Sequence, residues 1–263
     1  MKDLIKLYSI YSVSGTAGEK QMCDWIEQWL KDHNKPYKRN GNTLYSISKS
    51  NNIFLSAHLD QVSTSGAAVH IYKTKEGYIL AYNKDWRRTS LGADDKNGVW
   101  IILKMLEDGY SFDWSISESE EIGCVGIHNI EEELANSAAK ICLVLDRKGG
   151  YDILNKGSGT NYCQALAHNL KNFLGGGYAV TSGTISDTQV LSKYIEAVNM
   201  SVAYHSPHTS NEYTDYNRLV QIKEDIKKVF TSFVHYPASP DDYIEKISYK
   251  SYYTKGGYDV QDW

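Results

Sequence analysis

The sequence predicts an α/β protein, a three-layer α/β/α sandwich around a central mixed, mostly parallel sheet. Short apolar runs bounded by polar residues, IFLSAH at 53–58 and ICLVL at 141–145, have the length and composition of interior strands. Between them lies a stretch of helical period over 96–108, where Val99, Ile102, Leu103 and Leu106 share one face. Strands that alternate with such helices bury a sheet between two helical layers.

Taken in order, the first 33 residues read as two helices separated by Ser14-Gly15-Thr16, with Thr16 or Gly18 starting the second. Segments 43–48, 68–73 and 77–83, the last two split by Lys75-Glu76-Gly77, read as antiparallel strands and make the sheet mixed. The strand 53–58 precedes them in part, and a loop at 84–92 leads into the helix at 96–108. Strands at 113–117 and 141–145 follow. Beyond these come a helix near 161–170, the run Gly175-Gly176-Gly177 with a strand after it, a helix near 186–194, a strand at 197–203 and a helix over 216–235. No repeat or low-complexity linker divides the chain, so residues 1–236 read as one domain. The tail at 237–263 carries Tyr243, Tyr249, Tyr252, Tyr253 and Tyr258 among breakers Pro237, Pro240, Gly256 and Gly257, and tyrosine this dense reads as packing.

The 263 residues hold 28 Lys plus Arg against 32 Asp plus Glu, a net charge of −4 that excludes a nucleic-acid binder working by bulk charge. With 41% hydrophobic and 23% charged residues the chain is too apolar for disorder. No run approaches the roughly 18 apolar residues of a spanning helix and the N-terminus has no signal-peptide core, so a cytoplasmic protein without a membrane partner is expected. Cys23, Cys124, Cys142 and Cys163 show no C-x-x-C spacing and are expected to be reduced and structural.

In open α/β sheets, functional groups gather beyond the carboxyl ends of strands. Those positions hold His58-Leu59-Asp60, Asp94-Asp95 after the 84–92 loop, Glu120-Glu121, Asp146-Arg147-Lys148, and His205 with His208. Singly, each is more often a helix cap or a solvated group. Together they would crowd negative charge on one sheet edge, which is costly unless cations neutralise it. Imidazole and carboxylate donors suit two divalent ions, Zn2+ first, with Co2+ or Mn2+ as alternatives, and no thiolate ligand is evident.

The motifs HLDQV at 58–62, LGADDKNG at 91–98, SEEIG at 119–123, Asp146 in LVLDRKG, and HTSNEY at 208–213 resemble those of the co-catalytic zinc peptidases. That group includes peptidase T, the glutamate carboxypeptidases and the di-zinc aminopeptidases, and the order is kept across roughly residues 50–215. The resemblance implies a zinc-peptidase (phosphorylase/hydrolase-like) architecture. It also implies His58 and Asp146 as ligands of one ion, Glu121 and a late histidine as ligands of the other, Asp94 bridging both, and a cis bond between Asp94 and Asp95. Asp60 would fix the His58 tautomer, and Glu120 would be the general base. His208 is favoured over His205 because Thr209 follows it directly and Glu212 lies four residues on. Asp187 resembles an aspartate near the family's site and reads equally well as a helix N-cap.

Peptidase T and the carboxypeptidases carry a domain-sized insertion between these last two aspartates, and 40 residues stand there in this chain. The layout is therefore that of the single-domain aminopeptidases, and the insertion's grip on a substrate carboxylate does not carry over. Arg147 and Lys148 offset the acidic edge, bind a carboxylate or, the favoured reading, are simply solvated. Trp86, Arg87 and Arg88 are placed to line a cleft, the less favoured of their two readings. Lys96 begins a helix with no assigned role, and His33, His70, His128, His168 and His235 follow no pattern. The implied reaction is amide hydrolysis by metal-activated water, most naturally as an aminopeptidase acting on a peptide. Hydrolysis of an N-acyl small molecule would use the same groups. A non-catalytic binding protein on the same fold is a third reading, against which Glu120 argues. Self-association into a homo-oligomer is left open.

Overall fold

The structure, a computed structural model, describes residues 1–233; the tyrosine-rich tail at 237–263 and the last residues of the expected final helix lie outside the described residues. Two helices, α1 (Lys2–Tyr8) and α2 (Ala17–Asp32), open the chain, and the Thr16 side chain caps α2 by accepting from the Gly18 amide. A hairpin of β1 (Lys38–Asn40) and β2 (Thr43–Ser46) leads to β3 (Ile53–His58), β4 (His70–Lys73), β5 (Tyr78–Tyr82) and β6 (Arg88–Thr89). Then follow α3 (Ala93–Glu107), β7 (Asp113–Ser117), α4 (Val125–His128), α5 (Glu131–Leu134) and β8 (Ile141–Arg147). The last third contains β9 (Asp152–Gly157), β10 (Thr160–Asn161), α6 (Gln164–Leu174), β11 (Ala179–Gly183), α7 (Thr188–Leu191), β12 (Glu196–Ser201), β13 (Tyr204–His205), β14 (Tyr213–Asp215) and α8 (Tyr216–Ser232).

The central sheet runs β1-β2-β7-β3-β8-β12-β9-β10, with β11 beside β9. Its four middle strands β7, β3, β8 and β12 are parallel, and β2 and β9 flank them antiparallel. Successive residues of one strand serve opposite faces, as the strand period requires. Leu55, Leu143 and Val198 pack with α1, α2, α3, α6 and α8, whereas Phe54, Cys142 and Ala197 pack with α4, α5 and α7. Both faces are covered, which is why IFLSAH and ICLVL read as near-continuous apolar runs.

One expectation changes in detail. Segments 68–73 and 77–83 do not join this sheet; β4, β5, β6, β13 and β14 form a separate antiparallel sheet. Half of β4 faces water, and an inner strand of the main sheet must be buried on both sides. The sheet is mixed because of β2, β9 and β10. The 40 residues between Asp146 and Asp187 hold β9, β10, α6 and β11, which extend the sheet rather than build an inserted domain.

The LGADDKNG segment is shaped by two close approaches. Gly92 has φ 60°, and a Cβ there would fall 2.5 Å from Gln61 Oε1 and 2.7 Å from Lys96 Nζ. At Gly98 a Cβ would meet the Leu145 carbonyl oxygen at 2.3 Å, so only glycine lets α3 lie this near β8. Helical dihedrals begin after Asp94 and Asp95, at Lys96. The Lys96 side chain is fully buried and donates to the carbonyls of Ile10 (2.7 Å) and Leu91 (3.1 Å) and to Gln61 Oε1 (2.5 Å). It therefore ties three loops beneath the site, a role that position in a motif did not disclose.

Candidate metal centre

Three parallel strands, the entry to α3 and a loop of the smaller sheet deliver the acidic and imidazole groups to one place. His58 ends β3, Asp146 stands near the end of β8, Glu120 and Glu121 lie in the turn after β7, and His208 lies between β13 and β14. Asp94 sits at the entry to α3, and its bond to Asp95 is cis. The two Asp94 oxygens face different imidazoles: Oδ1 is 3.2 Å from His58 Nε2, and Oδ2 is 3.1 Å from His208 Nε2. On the His58 side, Asp146 Oδ1 is 3.6 Å and Glu120 Oε2 4.0 Å from Nε2. On the other, Glu121 Oε1 is 2.9 Å from His208 Nε2. Two donor groups built on Asp94 emerge, His58–Asp94–Asp146 and Asp94–Glu121–His208, and His58, Glu120 and Glu121 make a third that leaves Asp94 out.

Supporting groups hold this arrangement rigid. Asp60, wholly buried, lies 3.2 Å from His58 Nδ1 and accepts from the amides of Glu120 (3.0 Å) and Glu121 (3.2 Å) and from Ser14 Oγ (2.6 Å). One carboxylate thus orients an imidazole and also fixes the turn that presents the glutamates. Asp95 caps α3 through the Gly98 amide (3.0 Å) and accepts the His58 amide (3.3 Å). Glu212 accepts from Ser90 Oγ (2.6 Å) and from the amides of Ala93 (3.2 Å) and Asp94 (3.3 Å), so the acidic residue four places after His208 anchors the backbone of Asp94.

Sequence reasoning missed Glu19, Tyr204 and Asn199. Buried Glu19 accepts from the Ser119 amide at 2.7 Å, although its place in the first turn of α2 suggests an ordinary cap. Tyr204 donates to Asp146 Oδ1 (3.2 Å), and Asn199 holds both backbone polar groups of Asp146. Their only signal was position at the end of β12 and just beyond it.

Several residues singled out from the sequence fall elsewhere. The His205 ring stacks on Tyr213 with centroids 4.7 Å apart and joins none of these donor groups. Trp86 stacks on His70 at 3.9 Å, and Arg88 donates to the Glu212 carbonyl at 3.2 Å. Asp187 precedes α7, but its side chain makes no capping hydrogen bond; it accepts from Ser117 Oγ instead and lies near Glu120, in keeping with the other of its two readings. All four cysteines are buried, and none is in a disulfide.

The groups border a cleft of about 170 Å³ whose lining includes Asp94, Glu120, Glu121, Asp146, Arg147, Lys148 and His208. Burial pushes the Glu120 carboxyl up to about 9, reinforced by the charges of Asp146, Asp187 and Glu121 and opposed by His58. Burial likewise raises Asp146 to about 7. Burial works against charge on His58, yet Asp146, Asp60 and Asp94 outweigh it and hold the imidazole well above its usual value. The Asp94 and Glu121 carboxylates raise His208 to about 10. Without a cation, protons held on these groups offset part of the cluster's negative charge. A dication does the same job by displacing them.

Loading the site therefore expels protons at neutral pH, and affinity rises as pH rises. Calorimetry in buffers of different ionisation enthalpy should show net proton release, with zinc affinity gaining about tenfold per pH unit for each proton released. Binding that is indifferent to pH between about 6 and 8 would remove the imidazoles from the ligand set.

No family model matches the chain, and no curated protein matches it in sequence. Solved structures do. A tripeptidase from Staphylococcus aureus superposes with TM-score 0.69 at 14% identity, covering 87% of this chain and 96% of that one. Aminopeptidase PepT from Bacillus cereus gives 0.67 at 15% identity over 86% and 95%. An aminopeptidase from the archaeon Desulfurococcus kamchatkensis gives 0.62 at 16% identity over 94% and 97%. This is the fold of zinc-peptidase-like aminopeptidases. At such identities the likeness is one of architecture, and the three-layer sandwich expected from the sequence is the architecture found. Among the described residues no helix is long and apolar enough to cross a membrane.

Proposed function

We propose that this chain is a two-metal hydrolase of amide bonds, most naturally an aminopeptidase of short peptides, with Glu120 as general base. The observation that carries this reading is Asp94, whose two oxygens face two separate imidazoles while Glu120 stands beside them at the cleft. The donor set fits zinc: each half offers one imidazole, one carboxylate of its own and the shared one, all within reach of one another. His58 and Asp146 would hold one ion, Glu121 and His208 the other, with Asp94 between. Two such ions, when bound, acidify a water and polarise the scissile carbonyl.

The chain's own residues do the rest. Glu120 takes the proton from the attacking water and delivers it to the leaving amine. Asp60 keeps the His58 ring and the Glu120 backbone in register. Ile185, exposed at the cleft, offers an apolar surface to a substrate side chain.

A second reading, hydrolysis of an N-acyl metabolite, draws on Arg147 and Lys148, which line the same cleft. Asp152 engages the Arg147 Nε at 3.2 Å, and among the described residues no protein group hydrogen-bonds its terminal nitrogens. Such cations suit the anionic end of a small substrate. Chelated protein should be inactive, and zinc or cobalt should restore hydrolysis of aminoacyl amides and di- or tripeptides. Activity confined to N-acyl amino acids would select the second reading, and inactivity on every member of the panel would contradict both.

The two histidines separate cleanly by experiment. His208→Ala is expected to lose one of two bound ions, with metal affinity down by about 100-fold or more. His205→Ala should keep both ions and lose only its stacking on Tyr213, about 0.5–1.5 kcal/mol of stability. Metal analysis of the two variants decides, and the reverse order would make His205 the ligand.

A further inference from the structure

A second cluster lies behind Glu120, and its Cys124 and Asp187 take no part in the proposed hydrolysis. The turn after β7 is closed by the amides of Gly123 and Cys124, both donating to the Glu120 carbonyl, and this wraps the Cys124 side chain back onto Glu120. Cys124 Sγ lies 3.7 Å from Glu120 Oε1. Asp187 adds a carboxylate oxygen, and the ligand atoms of the three residues all lie within 4.8 Å of one another. Asp187 is 2% exposed; one oxygen accepts from Ser117, and Oδ1 has no hydrogen-bond partner among the described residues. A buried carboxylate oxygen that faces only the weak thiol donor of Cys124 and a second carboxylate is costly unless a proton or a cation joins it.

The dimensions suit a cation. Tetrahedral zinc at about 2.3 Å from sulfur and about 2.0 Å from oxygen sets S···O separations near 3.5 Å, close to the 3.7 Å between Cys124 and Glu120. Sulfur also sets the selectivity, because thiolate favours zinc and cadmium over magnesium, calcium or manganese. The cleft reaches the cluster through Glu120, which lines it.

We propose that Glu120, Cys124 and Asp187 form a third zinc site, weaker than the proposed pair, whose occupation withdraws Glu120 from proton transfer. Binding there deprotonates the Cys124 thiol, the proton leaving to solvent, and leaves a fourth position for water. Excess zinc then inhibits the enzyme. That consequence rests on the proposed role of Glu120, whereas the binding itself does not.

The test titrates the full-length protein, already holding two equivalents of zinc, with further zinc or with cadmium. It follows bound metal, the ultraviolet cadmium–thiolate absorption and turnover. A third equivalent is expected, with a thiolate band and a fall in turnover of about 100-fold or more, within the range for losing a general base. Cys124→Ser and Asp187→Asn should each lose the third equivalent. Cys124→Ser should also lose the band, and the turnover of each variant, relative to its own value at two equivalents, should no longer fall. Saturation at two equivalents, a band that survives Cys124→Ser, or inhibition unchanged in both variants would overturn the proposal. The third ion and its band without hydrolysis of any substrate would uphold this site and discard the proposed function. Hydrolysis with no band at any cadmium level would do the opposite.

Discussion

Glu120→Gln is expected to lower turnover by about 10²- to 10⁴-fold, the range for removing a general base, or roughly 3–5 kcal/mol in the barrier. Bound zinc should stay at two equivalents, because neither donor group built around Asp94 contains Glu120. The substitution keeps the shape and the backbone amide that Asp60 holds at 3.0 Å, so the turn presenting Glu121 should persist. The split between metal content and turnover is the informative readout. A variant that loses metal would make Glu120 a ligand, and one that keeps full activity would remove it from proton transfer.

Asp94→Ala is expected to be the most damaging single change. It is the one carboxylate shared by the two donor groups, lying 3.2 Å from one imidazole and 3.1 Å from the other. Its loss should empty both positions and reduce turnover on the order of 10³-fold or more, the scale for losing stabilisation of the developing oxyanion. Asp146→Ala, by comparison, should release only the ion held with His58. The Asp94→Ala fold should survive, because its backbone is anchored through Glu212 and Lys96 holds the neighbouring loops independently. A circular dichroism spectrum like that of the parent, with no bound metal, is the expected pair of results. Retention of two ions would show that Asp94 does not bridge.

The layered fold was legible because both faces of β3 and β8 are buried, which writes continuous apolar runs into the sequence. Helix α3 was legible because one of its faces must pack on the sheet. What escaped notice was short or held together at long range. Helices α4 and α5 have four residues each, too few to display a period. Strand β9 carries only Ile153 and Leu154 as aliphatic residues among polar ones. The separate sheet of β4, β5, β6, β13 and β14 pairs segments more than 100 residues apart, which local pattern does not encode.

The candidate ligands were legible for a different reason. Each lies at a strand end or in the adjoining turn, and a resemblance of short motifs ordered them. Their supports were not, since Glu19, Asn199, Tyr204 and Lys96 act on partners remote in sequence. Asp187 illustrates the limit: the sequence leaves a cap and a place near the site equally open, and its partner Ser117 is 70 residues away. Cys124 was read as an inert buried thiol, and it is the turn geometry that places its sulfur beside Glu120.

Anomalous diffraction at the zinc edge, from crystals of the protein loaded with two equivalents, bears most directly on the claim that Asp94 joins two metal positions. Two peaks are expected, one between His58 and Asp146 and one between Glu121 and His208, with an Asp94 oxygen toward each. A single peak, or zinc bound away from Asp94, would contradict the two-metal reading.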